Sequence, residues 1–339
     1  MQIFVYEFIT GGGMWSLGGG PEGSLLTEGQ AMLSAVIEDA LKTGVEPITL
    51  RDSRLVGGLP DGCQAVEVGS VAEHLEAFSA FATGADYTLL IAPEFEGWLL
   101  KLARLAVDAR ANLLSPDPTF IALASDKQAT ADRLERQKVA VPRGLMLEPF
   151  DKPPKSPYPA VLKPNDGAGS QSIRLVNKAT EAKKWMEASP PWTWRFEKLH
   201  PGVAASVSIL AGLGEPIALA PCQQNLSGDG SLLYLGGETP LSPPLAERAT
   251  RLGLAAARAL PKTTGLFGID LVLGEAEDGS QDVVIEVNPR LTTSYVGLRA
   301  ACEQNLLQAT IDAVEGREIA LSFRPERLEF DPDGAVRSL

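Results

Sequence analysis

Two apolar runs late in the chain constrain the fold most: Gly-Ile-Asp-Leu-Val-Leu at 268–273 and Val-Val-Ile-Glu-Val-Asn-Pro-Arg at 283–290. Each carries an acidic residue inside a stretch that otherwise reads as strand. The turn-forming Glu-Ala-Glu-Asp-Gly-Ser-Gln at 275–281 lies between them, so the two predict an antiparallel hairpin. Strand side chains alternate between faces, so Glu286 and Asn288 leave the same face. Pairing the strands brings Asp270 onto that face too. Three oxygen-bearing side chains there suit Mg²⁺, which takes a few carboxylates together with phosphate oxygens. The alternative is that Asp270 and Glu286 are polar positions on a half-solvated hairpin.

The opposite end of the chain reads differently. Residues 3–8, 48–50, 65–68 and 87–92 are short apolar strand candidates. They alternate with helical patterns at 28–42, 71–82 and 98–110. That alternation implies a small parallel α/β unit over residues 1–111. A second unit, 112–195, holds a helix at 125–137 capped by Ser125, an exposed proline-rich connection at 152–159, and strands at 160–163 and 173–176 around a Gly/Ser loop. A third, 196–323, holds strands at 206–210 and 217–221, the hairpin, and helices at 245–260 and 298–315. The charged, Pro- and Asp-containing tail 324–339 is expected to be weakly ordered.

Composition excludes several function classes. Of 339 residues, 45% are hydrophobic and 22% charged, ordinary for a globular chain with a core. A net charge of −13 argues against a coat for nucleic acid or anionic membrane. Cys63, Cys222 and Cys302 form no Cys-x-x-Cys pair, and two histidines, His74 and His200, cannot build a multi-histidine metal centre. The start of the chain lacks a signal-peptide pattern and no apolar run is long enough to span a membrane, so a cytoplasmic location is expected.

Three further segments carry chemistry. Lys163 ends an apolar strand and is followed by Pro164-Asn165-Asp166-Gly167-Ala168-Gly169-Ser170. Such a small-residue loop can turn backbone N–H groups onto phosphate oxygens, with the lysine adding charge; an ordinary hairpin loop is the alternative. Lys127 opens a helix and can reach the same phosphates. Glu197-Lys198-Leu199 offers a backbone edge at which adenine can be recognised. Each is weak alone.

Together, in this order and over residues 112–315, these segments resemble the ATP-grasp superfamily. The resemblance implies that fold: a small N-terminal parallel α/β domain, then two α+β subdomains clasping ATP. It implies that Lys127 and Lys163 contact phosphates and that the loop bearing Gly167, Gly169 and Ser170 covers the triphosphate. It also implies that Glu197, Lys198 and Leu199 flank adenine, that Asp270, Glu286 and Asn288 hold two Mg²⁺ (Mn²⁺ being a substitute), and that Arg290 faces an acyl phosphate. Two positions depart from the pattern. A ribose-binding glutamate expected seven residues after Glu197 is Ala204. An arginine that some peptide-forming members carry two residues before the metal aspartate is Gly268, leaving Arg290 as its replacement.

The opening Glu7-Phe8-Ile9-Thr10-Gly11-Gly12-Gly13, with Asn288-Pro289-Arg290-Leu291-Thr292-Thr293-Ser294, resembles a narrower branch. That branch is the tyramine–glutamate ligases of methanofuran biosynthesis and their methylofuran counterparts. It implies activation of the glutamate γ-carboxylate and attack by tyramine, tyrosine or a similar amine, with Thr292 and Thr293 following Arg290 into the acceptor pocket. The loop of Gly11, Gly12 and Gly13 leaves the carboxyl end of the first strand and can line a substrate pocket, a mobile surface loop being the alternative. Glu94, at another strand's carboxyl end, can bind a substrate ammonium, a solvated loop carboxylate being the alternative. The partners are then small molecules, with neither nucleic acid nor membrane, and a homodimer is implied. Two alternatives stand beside it: a ligase for another amino acid or a glutamate tail, and a non-catalytic nucleotide-binding regulator. The Gly-x-Gly-x-x-Gly match at 18–23 is no dinucleotide fingerprint, because Pro21 lies inside it and the strand ends well before it.

Overall fold

The computed structural model describes residues 1–167 and 172–339. Gly169 and Ser170 lie outside the described residues, so the loop expected to cover the triphosphate is described only up to Gly167 and from Ser172. Among the described residues no helix is long and apolar enough to cross a membrane.

The N-terminal unit is a parallel sheet flanked by helices. Its elements run β1 (Gln2–Glu7), α1 (Gly23–Lys42), β2 (Glu46–Asp52), β3 (Gln64–Val68), α2 (Val71–Gly84), β4 (Tyr87–Ile91) and α3 (Trp98–Asp108). The strand order is β3-β2-β1-β4, all parallel. The order reverses between β1 and β4, so a crevice opens at their carboxyl ends. α1 forms because Met32, Leu33, Val36, Ile37 and Ala40 share a stripe that is buried against the sheet. Gly44, at φ 73°, turns the chain into β2. α2 starts on Ser70, whose hydroxyl accepts from Glu73 N–H, while the Glu73 carboxylate accepts from Gly69 N–H.

The linking helices differ from the sequence expectation. α4 (Pro118–Ala124) precedes α5 (Lys127–Arg136), and the cap of α5 is Asp126, whose carboxylate accepts from Ala129 N–H at 2.8 Å. Ser125, the predicted cap, has helical backbone angles as the end of α4 and cannot take the extended shape a cap needs.

The middle sheet comprises β5 (Gly144–Leu147), β6 (Ala160–Pro164), β7 (Arg174–Val176) and β8 (Trp194–Lys198), in the antiparallel order β5-β8-β6-β7. A division of the chain after residue 195 falls inside β8; we draw it instead at the loop that follows Lys198. Ala160, Leu162, Trp194 and Phe196 pack with Ala182 of α6 (Ala179–Ala188). Strand alternation sends Val161, Lys163, Arg195 and Glu197 to the other face.

The C-terminal sheet is built on β9 (Val203–Ala211), β10 (Ile217–Ala218), β11 (Cys222–Leu226), β12 (Tyr234–Thr239), β13 (Gly265–Leu273) and β14 (Val283–Asn288). The segment expected as one strand at 217–221 contributes only β10, and β11 follows it. α7 (Pro243–Ala259) lies across β9 and β13. Its buried Arg248 pairs with Asp282, whose carboxylate also accepts from Gly274 N–H at 3.0 Å. That contact fixes the 274–282 turn and hence the register of the expected hairpin.

The helix predicted over 298–315 is two: α8 (Ser294–Ala301) and α9 (Leu306–Val314). Cys302 is extended, and Asn305 caps α9 by accepting from Gln308 N–H at 2.9 Å. The tail expected to be loose instead forms β15 (Leu328–Phe330) and β16 (Val336–Ser338), which extend the large sheet beyond β12. Phe330 is fully buried and lies against Gly297 and Gly237. The reason is packing: one aromatic ring fills the space between α8 and the sheet, outweighing the polar residues around it.

The N-terminal unit is joined to α8 by buried polar contacts. Asp39 on α1 accepts from the Tyr295 hydroxyl at 2.6 Å and from Arg299 at 2.9 and 2.7 Å. Asn305 donates to the Asp39 carbonyl at 2.8 Å.

Candidate active site

The inward faces of the middle and C-terminal sheets enclose a cleft of about 310 Å³. Val161, Lys163 and Glu197 line one wall; Ala204, Ser206, Gln224, Asp270, Glu286 and Asn288 line the other. Alternation along β9, β13 and β14 sets these residues inward while Val207, Ile269, Leu271 and Val287 face the α7 core.

The hairpin pairs as its sequence predicts: Asp270 lies opposite Glu286, and Gly268 opposite Asn288. The Asn288 amide donates to one Asp270 oxygen at 2.9 Å and Gln224 donates to the other at 2.9 Å. Burial, followed by the facing Glu286 charge, pushes the Asp270 carboxyl up to about 6.

Lys163 is buried and ion-paired with Glu197 at 2.8 Å; its ammonium also donates to the Ile285 carbonyl at 3.3 Å. Glu197 is held on its other side by Arg195 at 2.8 Å. Lys127 sits behind Glu286, 3.0 Å from that carboxylate and 2.6 Å from the Gly167 carbonyl. Lys198 and Leu199 line the cleft, but their backbone N–H groups already donate to Arg143 and Pro159. The Glu197 carboxylate is taken by two cations. The edge this segment leaves for a base is therefore narrower than the sequence implied.

Arg290 follows β14 and is half-buried, 3.0 Å from Glu94. Glu94 is thus buried and ion-paired rather than a loop carboxylate open to a ligand, and it does not line the cleft. Gly11, Gly12 and Gly13 do not line the cleft either. They close the turn after β1, where a Cβ would meet the Glu7 carbonyl, Val68 and Phe8 at about 2.5 Å, 2.4 Å and 2.4 Å respectively. Thr292 and Thr293 do line it. A Cβ on Gly268 would lie 2.6 Å from the Thr292 methyl, so Thr292 occupies the space an arginine side chain there needs.

Sequence reading missed Glu7, Glu28, Gln224 and Tyr234. Glu28 and Tyr234 line the cleft. Glu7 is buried, accepts from Ile9 and Thr10 N–H at 3.1 and 2.7 Å, and burial pushes it up to about 7. Its only sequence signal is an acid at the end of an apolar strand. The other three follow no short motif. His74 is buried against Tyr6, 2.6 Å away, and burial lowers it to about 4; His200 bonds the Gln281 carbonyl at the cleft rim.

Comparison with known proteins agrees with this architecture. The ATP-grasp domain pattern matches residues 124–294, and the pre ATP-grasp 3 domain matches residues 45–121. The chain belongs to the ATP-grasp family, and its class is that of the ATP-dependent C–N ligases. It is 25% identical over 247 residues to a tyramine–L-glutamate ligase of Methanocaldococcus fervens, covering 72% of this chain and 71% of that protein. It is 23% identical to the enzyme of the same name in Methanocaldococcus jannaschii, over 73% and 68% of the two chains. Among solved structures, an ATP-grasp superfamily protein from Archaeoglobus fulgidus superposes with a TM-score of 0.73 at 21% identity, covering 98% and 92%. An L-amino acid ligase from Bacillus licheniformis superposes with a TM-score of 0.71 at 16% identity, covering 97% and 78%.

Proposed function

We propose that this chain phosphorylates the γ-carboxylate of L-glutamate with ATP and couples the acyl phosphate to tyramine or a close relative, releasing ADP and phosphate. One observation carries the reading: Lys127, Lys163, Asp270, Glu286, Asn288 and Arg290, scattered over 164 positions of sequence, converge on one cleft or directly behind its wall. The resemblance to two tyramine–glutamate ligases supports the choice of substrates. A role in making a furan-type cofactor follows from the same resemblance.

A carboxylate is a poor acyl donor, and phosphorylation makes its oxygen a good leaving group. The transferred phosphoryl group is crowded with negative charge, so positioning and neutralisation are the main tasks. Lys163 and Lys127 supply fixed cations from the two sides of the cleft. Arg290 lies at the end of the hairpin, beyond Asn288, where an acyl phosphate has to be held. The loop after Gly167 covers the phosphates in this reading and keeps water from the acyl phosphate.

The residues present fit divalent cations. Two facing carboxylates and an amide form a hard-oxygen donor set, and burial first, then the facing Glu286 charge, raises the Asp270 carboxyl. Asp270, Glu286 and Asn288 would hold two Mg²⁺, which when bound neutralise phosphate oxygens.

The test is ADP release with Mg²⁺-ATP and L-glutamate, with and without tyramine or tyrosine, followed by mass spectrometry. An amine-dependent rise in ADP with a γ-glutamyl amide mass supports the reading. ADP release without that product refutes the substrate pair, and no ADP with any amino acid and amine refutes the ligase.

A further inference from the structure

The acyl end of the cleft carries a surplus of negative charge. Arg290 is the one guanidinium that lines it among the described residues, and the carboxylates of Glu94, Glu28, Glu286 and Glu7 all act on it. Their states differ. Both Glu7 oxygens accept backbone N–H bonds, Glu94 is held by Arg290, and Glu286 faces Lys127. Two cleft-lining carboxylates keep an oxygen without a protein partner among the described residues: Glu286, which belongs to the proposed metal site and whose other oxygen meets Lys127, and Glu28. One Glu28 oxygen accepts from the Thr293 hydroxyl at 3.1 Å, and the other has no protein partner among the described residues. Glu28 comes from α1 of the N-terminal unit, facing the hairpin that carries Asp270 and Asn288. Its neighbour Gly29 is needed for that placement, since a Cβ there would sit 2.6 Å from the Glu7 carboxyl carbon.

We infer that Glu28 binds the ammonium group of the acceptor amine and removes its proton, an inference that rests on the ligase reading above. A protonated amine has no lone pair, so one proton must leave before attack. The Glu28 carboxylate takes that proton while Thr293 holds the other oxygen in place. The freed lone pair forms the C–N bond at the acyl carbon. The acyl C–O bond then breaks, and phosphate leaves with the bonding pair. The surplus proton on the new amide nitrogen passes to the phosphate, and Glu28 returns its proton to solvent when product departs. Burial raises the Glu28 carboxyl, against the Thr293 hydrogen bond and the Arg290 charge, in the direction that makes it a better proton acceptor. Tyr234, also in the cleft, is held well above its ordinary value by burial and by Cys222, Glu28, Asp270 and Asp331, so it stays neutral beside this carboxylate.

Hydroxylamine separates the two half-reactions, because it is largely neutral at neutral pH and attacks acyl phosphates without a base. The experiment compares hydroxamate formation (Mg²⁺-ATP, L-glutamate, hydroxylamine) with amide formation (the same with tyramine) in wild type, Glu28→Gln and Thr293→Val. Glu28→Gln keeps the shape of the side chain. The expected result is hydroxamate formation within about twofold of wild type and amide formation reduced at least ~100-fold. For Thr293→Val the expected loss of amide formation is about tenfold, with hydroxamate unchanged. Hydroxamate formation also reports that each variant is folded. Equal losses in both assays, or no loss of amide formation in Glu28→Gln, overturn the role of Glu28 while leaving the ligase reading intact. Wild type that forms no hydroxamate overturns the ligase reading and this inference with it.

Discussion

Replacing Lys163 by methionine separates two jobs that the structure gives one side chain. Lys163 and Glu197 form an ion pair at 2.8 Å, with 2% and 3% of their side chains exposed, so solvent screening is small. Breaking a buried pair by removing one partner costs about 3–5 kcal/mol. Here Arg195 still holds the other Glu197 oxygen at 2.8 Å, and methionine refills most of the lysine stem, so the expected loss is about 2–3 kcal/mol. For a chain of 339 residues that lowers Tm by roughly 3–4 °C, readable by calorimetry. The catalytic effect is separate. One charge-assisted hydrogen bond to a phosphate is worth about 1.5–3 kcal/mol, so kcat/KM for ATP should fall roughly 10- to 150-fold, with KM raised and kcat lowered. Coupled ADP release at saturating glutamate and amine gives both constants. A Tm drop with unchanged KM and kcat shows that Lys163 serves only to neutralise Glu197, and refutes its contact with the nucleotide.

Glu286→Ala should abolish turnover while leaving the circular dichroism spectrum unchanged; normal ADP release from it rules out the hairpin as the metal site. Phe330→Ala, at a fully buried ring between α8 and β12, should cost about 3–5 kcal/mol, measured by urea unfolding, and a loss under about 1 kcal/mol means the C-terminal strands are not docked in solution. Glu7 gives a pH signature: its carboxyl is raised from 4.5 to about 7, so the folded chain binds a proton more tightly than the unfolded one. Its stabilising contribution is full below about 4.5 and is lost as pH rises through about 7. Wild type should therefore lose Tm between those limits by more than Glu7→Gln does, and parallel Tm–pH curves contradict the assignment.

The chemistry legible in the sequence was chemistry carried by local strand alternation. The hairpin of Asp270, Glu286 and Asn288 needed only two apolar runs and a turn, and Lys163 only a strand end followed by glycines. What was illegible depended on partners distant in sequence. Glu28 is one of several polar residues on an amphipathic helix until α1 docks beside Thr293, 265 residues later. Glu94 read as a loop acid until Arg290 arrived from another unit. Two misreadings had local remedies. Asn305 is a strong capping residue inside the run taken as one helix, and Asp126 competes with Ser125 at the start of α5. The C-terminal strands offered little: Phe330 is a lone aromatic in a polar segment, and only the gap beside Gly297 makes it core.

The Asp39 contacts bear on how such a chain can be re-engineered. Tyr295, Arg299 and Asn305 all reach Asp39, and α8 follows Thr292 and Thr293 without a break. A chimera that swaps residues 1–111 for those of another ligase, to change the amine it accepts, therefore cuts this junction as well as replacing Glu28. A foreign first unit must bring an acid at the Asp39 position, or carry the 292–305 segment along with it. Otherwise α8 loses its anchor and the cleft-lining Thr292 and Thr293 lose theirs, so the transplantable module is residues 1–111 together with that segment.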